Sequence, residues 1–240
     1  MTGMINRVGR RLERMAVSQA KRRGLWRDAW YPNYNFQMTP RQLVFLASCI
    51  DRIKDIEGSI VEIGCAHGLT TTFLYEYMRA SAFKKHYVCI DTFSGFTESD
   101  VKVEVDSRGK EGSHYDHPFT DNRREWFLEA LAKRDITDLE VMQADVTQLS
   151  ADKLPEKIAF CLVDVDLYQP VKVALGKIFP RMAEGGIIVT DDCWSTSTYG
   201  FVKTDVASIY DGAMQAYREF IAEKGLPERL VEDKLGIIDL

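Results

Sequence analysis

Residues 59–80 read SIVEIGCAHGLTTTFLYEYMRA. A short run rich in β-branched residues, SIVEIG, meets the loop CAHG and passes directly into LTTTFLYEYMRA, which reads as a helix. Strand, glycine turn and helix in that order open a β–α–β unit, the building block of a parallel sheet covered by helices. The same alternation continues along the chain. KHYVCID (85–91), LEVMQAD (139–145), KIAFCLVD (157–164) and GGIIVTD (185–191) read as further strands. TDNRREWFLEALAKRD (120–135), with Thr120 or Asp121 as cap, QPVKVALGKIFPRM (169–182) and TDVASIYDGAMQAYREFIAEKG (204–225) read as helices. Before them, MTPRQLVFLASCIDRIKDI offers Thr39 as N-cap and Pro40 at the first helical position. LVED and LGIIDL in the tail are expected to close as a C-terminal β-hairpin. Unbroken apolar strands predict an α/β, doubly wound, mostly parallel sheet of the Rossmann-like kind.

One connection departs from the alternation. Residues 92–119, TFSGFTESDVKVEVDSRGKEGSHYDHPF, show no clear periodicity and are expected to form a lid-like insertion. They follow the second strand directly, so their base belongs at the carboxyl edge of the sheet, where doubly wound folds bind ligands. The expected organisation is a basic N-terminal segment, residues 1–38, followed by one domain over residues 39–240.

With 240 residues, 45 % of them hydrophobic, the chain can bury a single real core. It has no apolar run long enough to span a membrane and no short apolar leader at its start, so a cytoplasmic protein is expected. Five scattered cysteines without a C-x-x-C pair suit reduced core thiols, and no zinc site is expected. The net charge of −5 conceals an asymmetry, since residues 1–23 carry seven Arg or Lys against one Glu. The acidic remainder argues against a nucleic-acid surface. INRVGRRLERMAVSQAKRRG, with Ile5, Val8, Leu12 and Met15 on one side, reads as a solvated or subunit-packing helix; contact with an anionic membrane or RNA is the alternative. A homo-oligomer is the default expectation.

Glu62-Ile63-Gly64-Cys65-Ala66-His67-Gly68 spells E-x-G-x-x-x-G, not the closer glycine pair that cradles a diphosphate. Gly64 permits a tight turn and Gly68 a close approach of ligand or helix. Asp91, with Thr92 beside it, ends the second strand, where an acid can accept both hydroxyls of a ribose. Asp145 ends the third, where it can hold an adenine amino group; loop or cap acids are the plainer alternatives for both. A glycine loop with acids at three successive strand ends suits an adenosine ligand that lacks a diphosphate, such as S-adenosylmethionine.

FCLVDVDLY (160–168) and IIVTDDCW (187–194) each end an apolar run in paired carboxylates. If these strands are neighbours, Asp164 faces Asp191 and Asp192, and three crowded carboxylates call for a cation. All-oxygen ligation suits Mg²⁺. Asp166, close by, is a candidate general base for methyl transfer to an alcohol. Tyr168 is a candidate for positioning substrate or simply begins a helix; Trp194 lines the acceptor pocket or packs as core. His114 and His117 form an H-x-x-H pair that lacks an obvious third metal ligand; lid contacts with substrate rank above a metal pair, and solvated loop residues rank above both.

VEIGCAHG, IDTFSGF, LVDVDLYQPVKVALGKIFPRMAEGGIIVTDD and GAMQAYREF resemble the macrocin O-methyltransferase family, from about residue 40 to the end. The resemblance implies a class I methyltransferase fold, S-adenosylmethionine, Mg²⁺ and a sugar hydroxyl as acceptor. By position it implies Asp164, Asp191 and Asp192 as metal ligands and Asp166 as base, although some members use a histidine near that place. The chain departs from the family at His67, where many members carry arginine, and His67 is read as a loop-packing residue. A catechol-type O-methyltransferase and a non-catalytic adenosine-binding scaffold with a basic anchor are the alternatives. A nicotinamide-dependent dehydrogenase ranks below them because the glycine spacing is wrong.

Overall fold

The computed structural model describes residues 15–20, 23, 34, 36–194 and 209–240. The chain divides into two units, Met1–Phe36 and Gln37–Leu240. In the first, residues 15–20 are helical; the remainder of the amphipathic helix read from the sequence lies outside the described residues, as do residues 204–208 of the helix read over 204–225.

The second unit opens with α1 (Pro40–Arg52), which begins where the sequence places it. The Thr39 hydroxyl accepts from Gln42 N at 3.3 Å and the Gln42 side chain accepts from Thr39 N at 2.8 Å. This reciprocal box satisfies two donors that the helix itself cannot. Leu43, Leu46, Ala47 and Ile50 turn inward, at the spacing of one helical face.

β1 (Ser59–Ile63), α2 (Leu69–Ala80) and β2 (Tyr87–Asp91) follow as the β–α–β reading requires. After β2 come α3 (Glu98–Asp106), a 3₁₀ turn at Gly112–Tyr115, and α4 (Arg124–Ala132). β3 (Glu140–Gln143), β4 (Ile158–Val163), α5 (Tyr168–Ile178) and β5 (Met182–Thr190) continue the alternation. α6 (Gly212–Lys224) and the hairpin of β6 (Leu230–Val231) and β7 (Leu235–Asp239) complete it. Among the described residues the strands form one seven-stranded sheet in the order β3-β2-β1-β4-β5-β7-β6. The first five are mutually parallel; β7 runs antiparallel to β5 and β6 antiparallel to β7, so the expected closing hairpin is present. β1 and β4 are buried along their whole length, which is why they carry apolar side chains on both faces. No helix among the described residues is long and apolar enough to cross a membrane.

Two local readings need correction. α4 starts at Arg124 with Arg123 at its cap position, so neither Thr120 nor Asp121 caps it. The Thr120 hydroxyl is turned back to donate to His117 O, and Asn122 is drawn into the interior before the helix begins. The insertion is also not structureless. Thr97 caps α3, accepting from Asp100 N at 3.2 Å, and Phe96, Tyr115, Phe119 and Tyr210 pack ring against ring around it.

The strand order reverses between β1 and β4, and ligand crevices in such sheets open at that point, beyond the carboxyl ends. The register aligns those ends. Ile63 pairs with Val163 and Val163 with Thr190. Each ladder then gains one more bond: Gly64 N to Ile90 O at 2.8 Å, Asp164 N to Ile63 O at 2.8 Å, and Asp191 N to Val163 O at 2.9 Å. Gly64, Asp164 and Asp191 are therefore held at one edge by backbone geometry.

Candidate active site

A cleft opens at this edge. Its walls include Gly64 and Ala66 after β1, Asp91 and Thr92 at the end of β2, Asp145 after β3, and Asp164 and Asp166 after β4. Phe96 and Asp100 from the insertion and Asn122 before α4 complete them.

Gly64 is glycine for a steric reason. Its φ is +87°, and a Cβ there would lie 1.7 Å from the Asp164 carbonyl oxygen, so the ends of β1 and β4 approach too closely for any side chain. Ala66 takes φ +43° and turns its N–H toward Asp91 Oδ2 at 2.8 Å. Asp91 Oδ1 accepts from Phe93 N at 2.7 Å and from Asn122 Nδ2 at 3.4 Å. Burial raises the pKa of Asp91, and the backbone N–H groups oppose that rise by favouring the carboxylate. A carboxylate has about four lone-pair sites, so Asp91 keeps acceptor capacity toward the cleft. Asp145 accepts from Thr147 N at 2.7 Å, the turn expected of a loop acid, and also lines the cleft. The Thr92 hydroxyl donates to Gly95 O at 2.8 Å and shapes the start of the insertion.

Other predicted residues lie elsewhere. Glu62 points to the other side of β1, where it is buried and accepts from Thr71 Oγ1 at 2.8 Å and Tyr87 OH at 2.6 Å. Gly68 has φ +79°, and a Cβ on it would meet the Phe127 ring at 2.8 Å; it serves packing of α4 against the loop. Tyr168 begins α5, and its hydroxyl donates to Glu219 Oε2 at 2.6 Å and accepts from Lys172. It belongs to the α5–α6 contact, not to the cleft wall. Trp194 also lies off this wall, with the Lys234 ammonium 5.4 Å from its ring centroid. His67, His114 and His117 are exposed and outside the cleft lining; His114 Nε2 lies 3.8 Å from Glu111 and His67 Nε2 4.0 Å from Asp121.

The strand-end acids do meet. Burial and the neighbouring Asp191 and Asp166 carboxylates push Asp164 well above the usual carboxylate range. Asp166 moves the same way through burial and through Asp192, to which it is hydrogen-bonded. Burial lifts Asp192 to about 6. Lys234, in the turn between β6 and β7, was not legible as a site residue; its ammonium donates to Asp191 Oδ2 at 2.5 Å and Asp192 Oδ1 at 3.3 Å. Burial works to lower its pKa, but the aspartates overcome that and the net movement is upward. Asn122 and Asp100 were likewise missed, one inside a stretch read as helix and the other inside the insertion.

The donor set fits a hard divalent cation in its chemistry, being all carboxylate oxygen. Asp191 Oδ1 is buried and has no hydrogen-bond partner, and one ammonium stands among four acidic side chains. Its arrangement is another matter. Among the described residues no group of three or more His, Cys, Asp or Glu is poised around a metal position, and Lys234 holds Asp191 and Asp192 on its own ammonium.

Asp166 and Asp192 both adopt positive φ, +59° and +56°, as do Ala66 and Phe93 in the neighbouring loops. Such conformations cost on the order of 1–3 kcal/mol each and gather at functional sites.

The structure is similar to those of several methyltransferases. The O-methyltransferase NovP superposes with a TM-score of 0.66 at 15 % identity, covering 88 % of this chain and 84 % of that one. The calicheamicin methyltransferase CalS11 gives 0.63 at 19 %, covering 83 % and 78 %. The Podospora anserina methyltransferase PaMTH1, solved with S-adenosylhomocysteine bound, gives 0.58 at 14 %, covering 88 % and 83 %. At these identities the likeness concerns the fold, a class I methyltransferase sheet. No curated protein matches the sequence significantly. Residues 4–237 match the macrocin-O-methyltransferase (TylF) family, and with nearly the whole chain inside that match the protein belongs to this family and is an O-methyltransferase.

Proposed function

We propose that the chain transfers the methyl group of S-adenosylmethionine to a hydroxyl of a sugar or sugar-bearing small molecule, with Mg²⁺ held by Asp164, Asp191 and Asp192. The observation that carries this reading is one cleft whose wall runs from the Gly64–Ala66 loop and Asp91 to Asp164 and Asp166. The donor end and the acid end are thus continuous. The SAH-bound state of PaMTH1 supports the donor. CalS11, described as a TDP-rhamnose 3′-O-methyltransferase, supports a sugar acceptor.

Bound S-adenosylmethionine supplies an electrophilic methyl, and Mg²⁺ a positive field that makes a nearby hydroxyl more acidic. The remaining work falls to the chain. Asp91, fixed by Ala66 and Phe93 N–H groups, presents its free lone pairs to the ribose hydroxyls. Asp145, held by its own turn, faces the adenine amino group, and Thr92 braces the loop between them. Asp166, once ionised, accepts the proton of the attacking hydroxyl; burial and the neighbouring Asp192 raise its pKa, and the charge of a bound cation would oppose that rise.

Calorimetric titration of S-adenosylmethionine into chelator-treated protein, repeated with Mg²⁺, tests the donor. Assays with sugar and catechol acceptors then test the rest. One-to-one binding followed by metal-dependent methylation of a sugar hydroxyl is expected. Absence of binding in both titrations overturns the reading, and transfer confined to vicinal phenols reassigns the enzyme to the catechol type.

A further inference from the structure

The turn that carries Asp166 is strained and needs a support. Asp166 has φ +59°, and Leu167 N donates to Val165 O at 2.6 Å, closing three residues around it. A non-glycine residue keeps such a conformation only where its surroundings over-determine it. Upstream, the turn is anchored by the bond from Asp164 N to Ile63 O in the sheet. Downstream it runs into α5, whose first N–H groups have no partner within their own helix.

One of those groups, Tyr168 N, donates to Glu104 Oε1 at 2.7 Å. Glu104 belongs to α3 in the insertion, 64 residues earlier, and is fully buried. Its other oxygen receives the Arg108 guanidinium. That guanidinium also donates to Asp211 Oδ1 at 2.6 Å, just before α6. Gly212 leaves room for the junction: a Cβ there would lie 2.6 Å from Tyr168 N and 2.8 Å from Glu104 Oε1. α3, α5 and α6 therefore converge on a single backbone N–H two residues after Asp166.

We infer that Glu104 is a positioning residue for the methyl-transfer reaction. Through Tyr168 N–H it fixes the exit of the Asp166 turn, and Arg108 and Asp211 hold Glu104 against that N–H. The insertion is thereby fastened to the catalytic turn at its α3 end. This rests on the reading of Asp166 as base.

The test compares kcat with the dissociation constant of S-adenosylmethionine, measured by calorimetry on the full chain with Mg²⁺. Glu104→Ala is expected to lower kcat about 10- to 100-fold, the scale of a misplaced catalytic group, with cofactor affinity changed less than about twofold. Because truncating a buried, ion-paired carboxylate endangers folding, a second pair of variants is needed. Tyr168→Pro removes the N–H at a helix position that tolerates proline, whereas Tyr168→Ala keeps it. The proline variant is expected to fall at least about tenfold below the alanine variant. In the Glu104→Ala background that difference is expected to vanish, because both changes break the same bond. Equal rates for Tyr168→Pro and Tyr168→Ala overturn the inference, as does a loss of cofactor affinity that parallels the loss of kcat. Asp166→Asn in the same assay separates the two readings: undiminished turnover there removes the base, and this inference with it.

Discussion

Asp191 and Asp192 find their counter-charge in Lys234, 43 and 42 residues further along the chain. All three are nearly inaccessible to water, at 5 %, 6 % and 6 % exposure. Lys234→Met keeps most of the aliphatic stem but leaves two buried carboxylates facing each other. Removing one partner from a buried ionic group typically costs about 3–5 kcal/mol. For a chain of this size each kcal/mol lowers Tm by about 2–4 °C, so thermal unfolding in chelator is expected to show a drop of about 6–20 °C. A shift within about 2 °C would mean that the aspartates do not depend on this ammonium. Gly64 is a second position at which one group decides the outcome. Its α-hydrogen faces the Asp164 carbonyl where a methyl would overlap it at 1.7 Å, at a φ of +87°. Gly64→Ala is expected to cost about 3 kcal/mol or more, because backbone on both sides leaves nothing soft to yield. Denaturant unfolding measures that loss, and a variant as stable as the parent would contradict the close approach of β1 and β4.

At the scale of elements, β1, α2 and β2 are tied together by Glu62, which accepts from Thr71 on α2 and Tyr87 on β2. Burial raises the Glu62 pKa from 4.5 to about 7. The folded chain therefore holds a proton there that the unfolded chain has lost between those two values. Stability from this group is complete below pH 4.5 and disappears as pH rises through about 7. The size is on the order of 3 kcal/mol. Glu62→Gln does not titrate, so its unfolding free energy is expected to fall less between pH 5 and pH 8 than that of the parent; parallel curves would rule the group out. The same elements show what could be read in advance. β4 announced itself because a strand buried on both faces is apolar throughout, and β1 and β5 did so through their apolar runs Ile60–Val61 and Ile187–Val189. α3 did not, because the positions it buries are Asp100 and Glu104, so a helix that faces inward reads as a polar loop. Asp91, Asp145, Asp164 and Asp166 were legible as cleft residues because strand ends in a parallel sheet share one edge. Glu62 was misplaced for the complementary reason that alternate residues of β1 face opposite ways. Lys234 was invisible because its contact with Asp191 depends on how β7 pairs with β5, which local pattern does not encode.

For the whole molecule, the sheet order gathers Asp164, Asp166, Asp191 and Asp192 at the reversal between β1 and β4 and its flank, and Lys234 offsets only part of their charge. Protons and a divalent cation are then competing ways of relieving one cluster. Asp164 and Asp166 lie well above the usual carboxylate range and Asp192 at about 6, burial being the first cause in each case. At pH 5.5 Asp192 mostly carries a proton that Mg²⁺ must displace, whereas at pH 8 it is ionised and open to the cation. Chelator-treated protein is therefore expected to gain more thermal stability from Mg²⁺ at pH 8 than at pH 5.5. At a hundredfold excess over the dissociation constant, binding to the native state alone is worth about 2.7 kcal/mol, or roughly 5–11 °C in Tm. Asp191→Asn removes a ligand charge beside the unpartnered Oδ1 and is expected to abolish most of this response. Equal responses at the two pH values, or an unchanged response in Asp191→Asn, would place the cation away from these strand ends. The acids would then work as a proton-sharing cluster balanced by Lys234 alone.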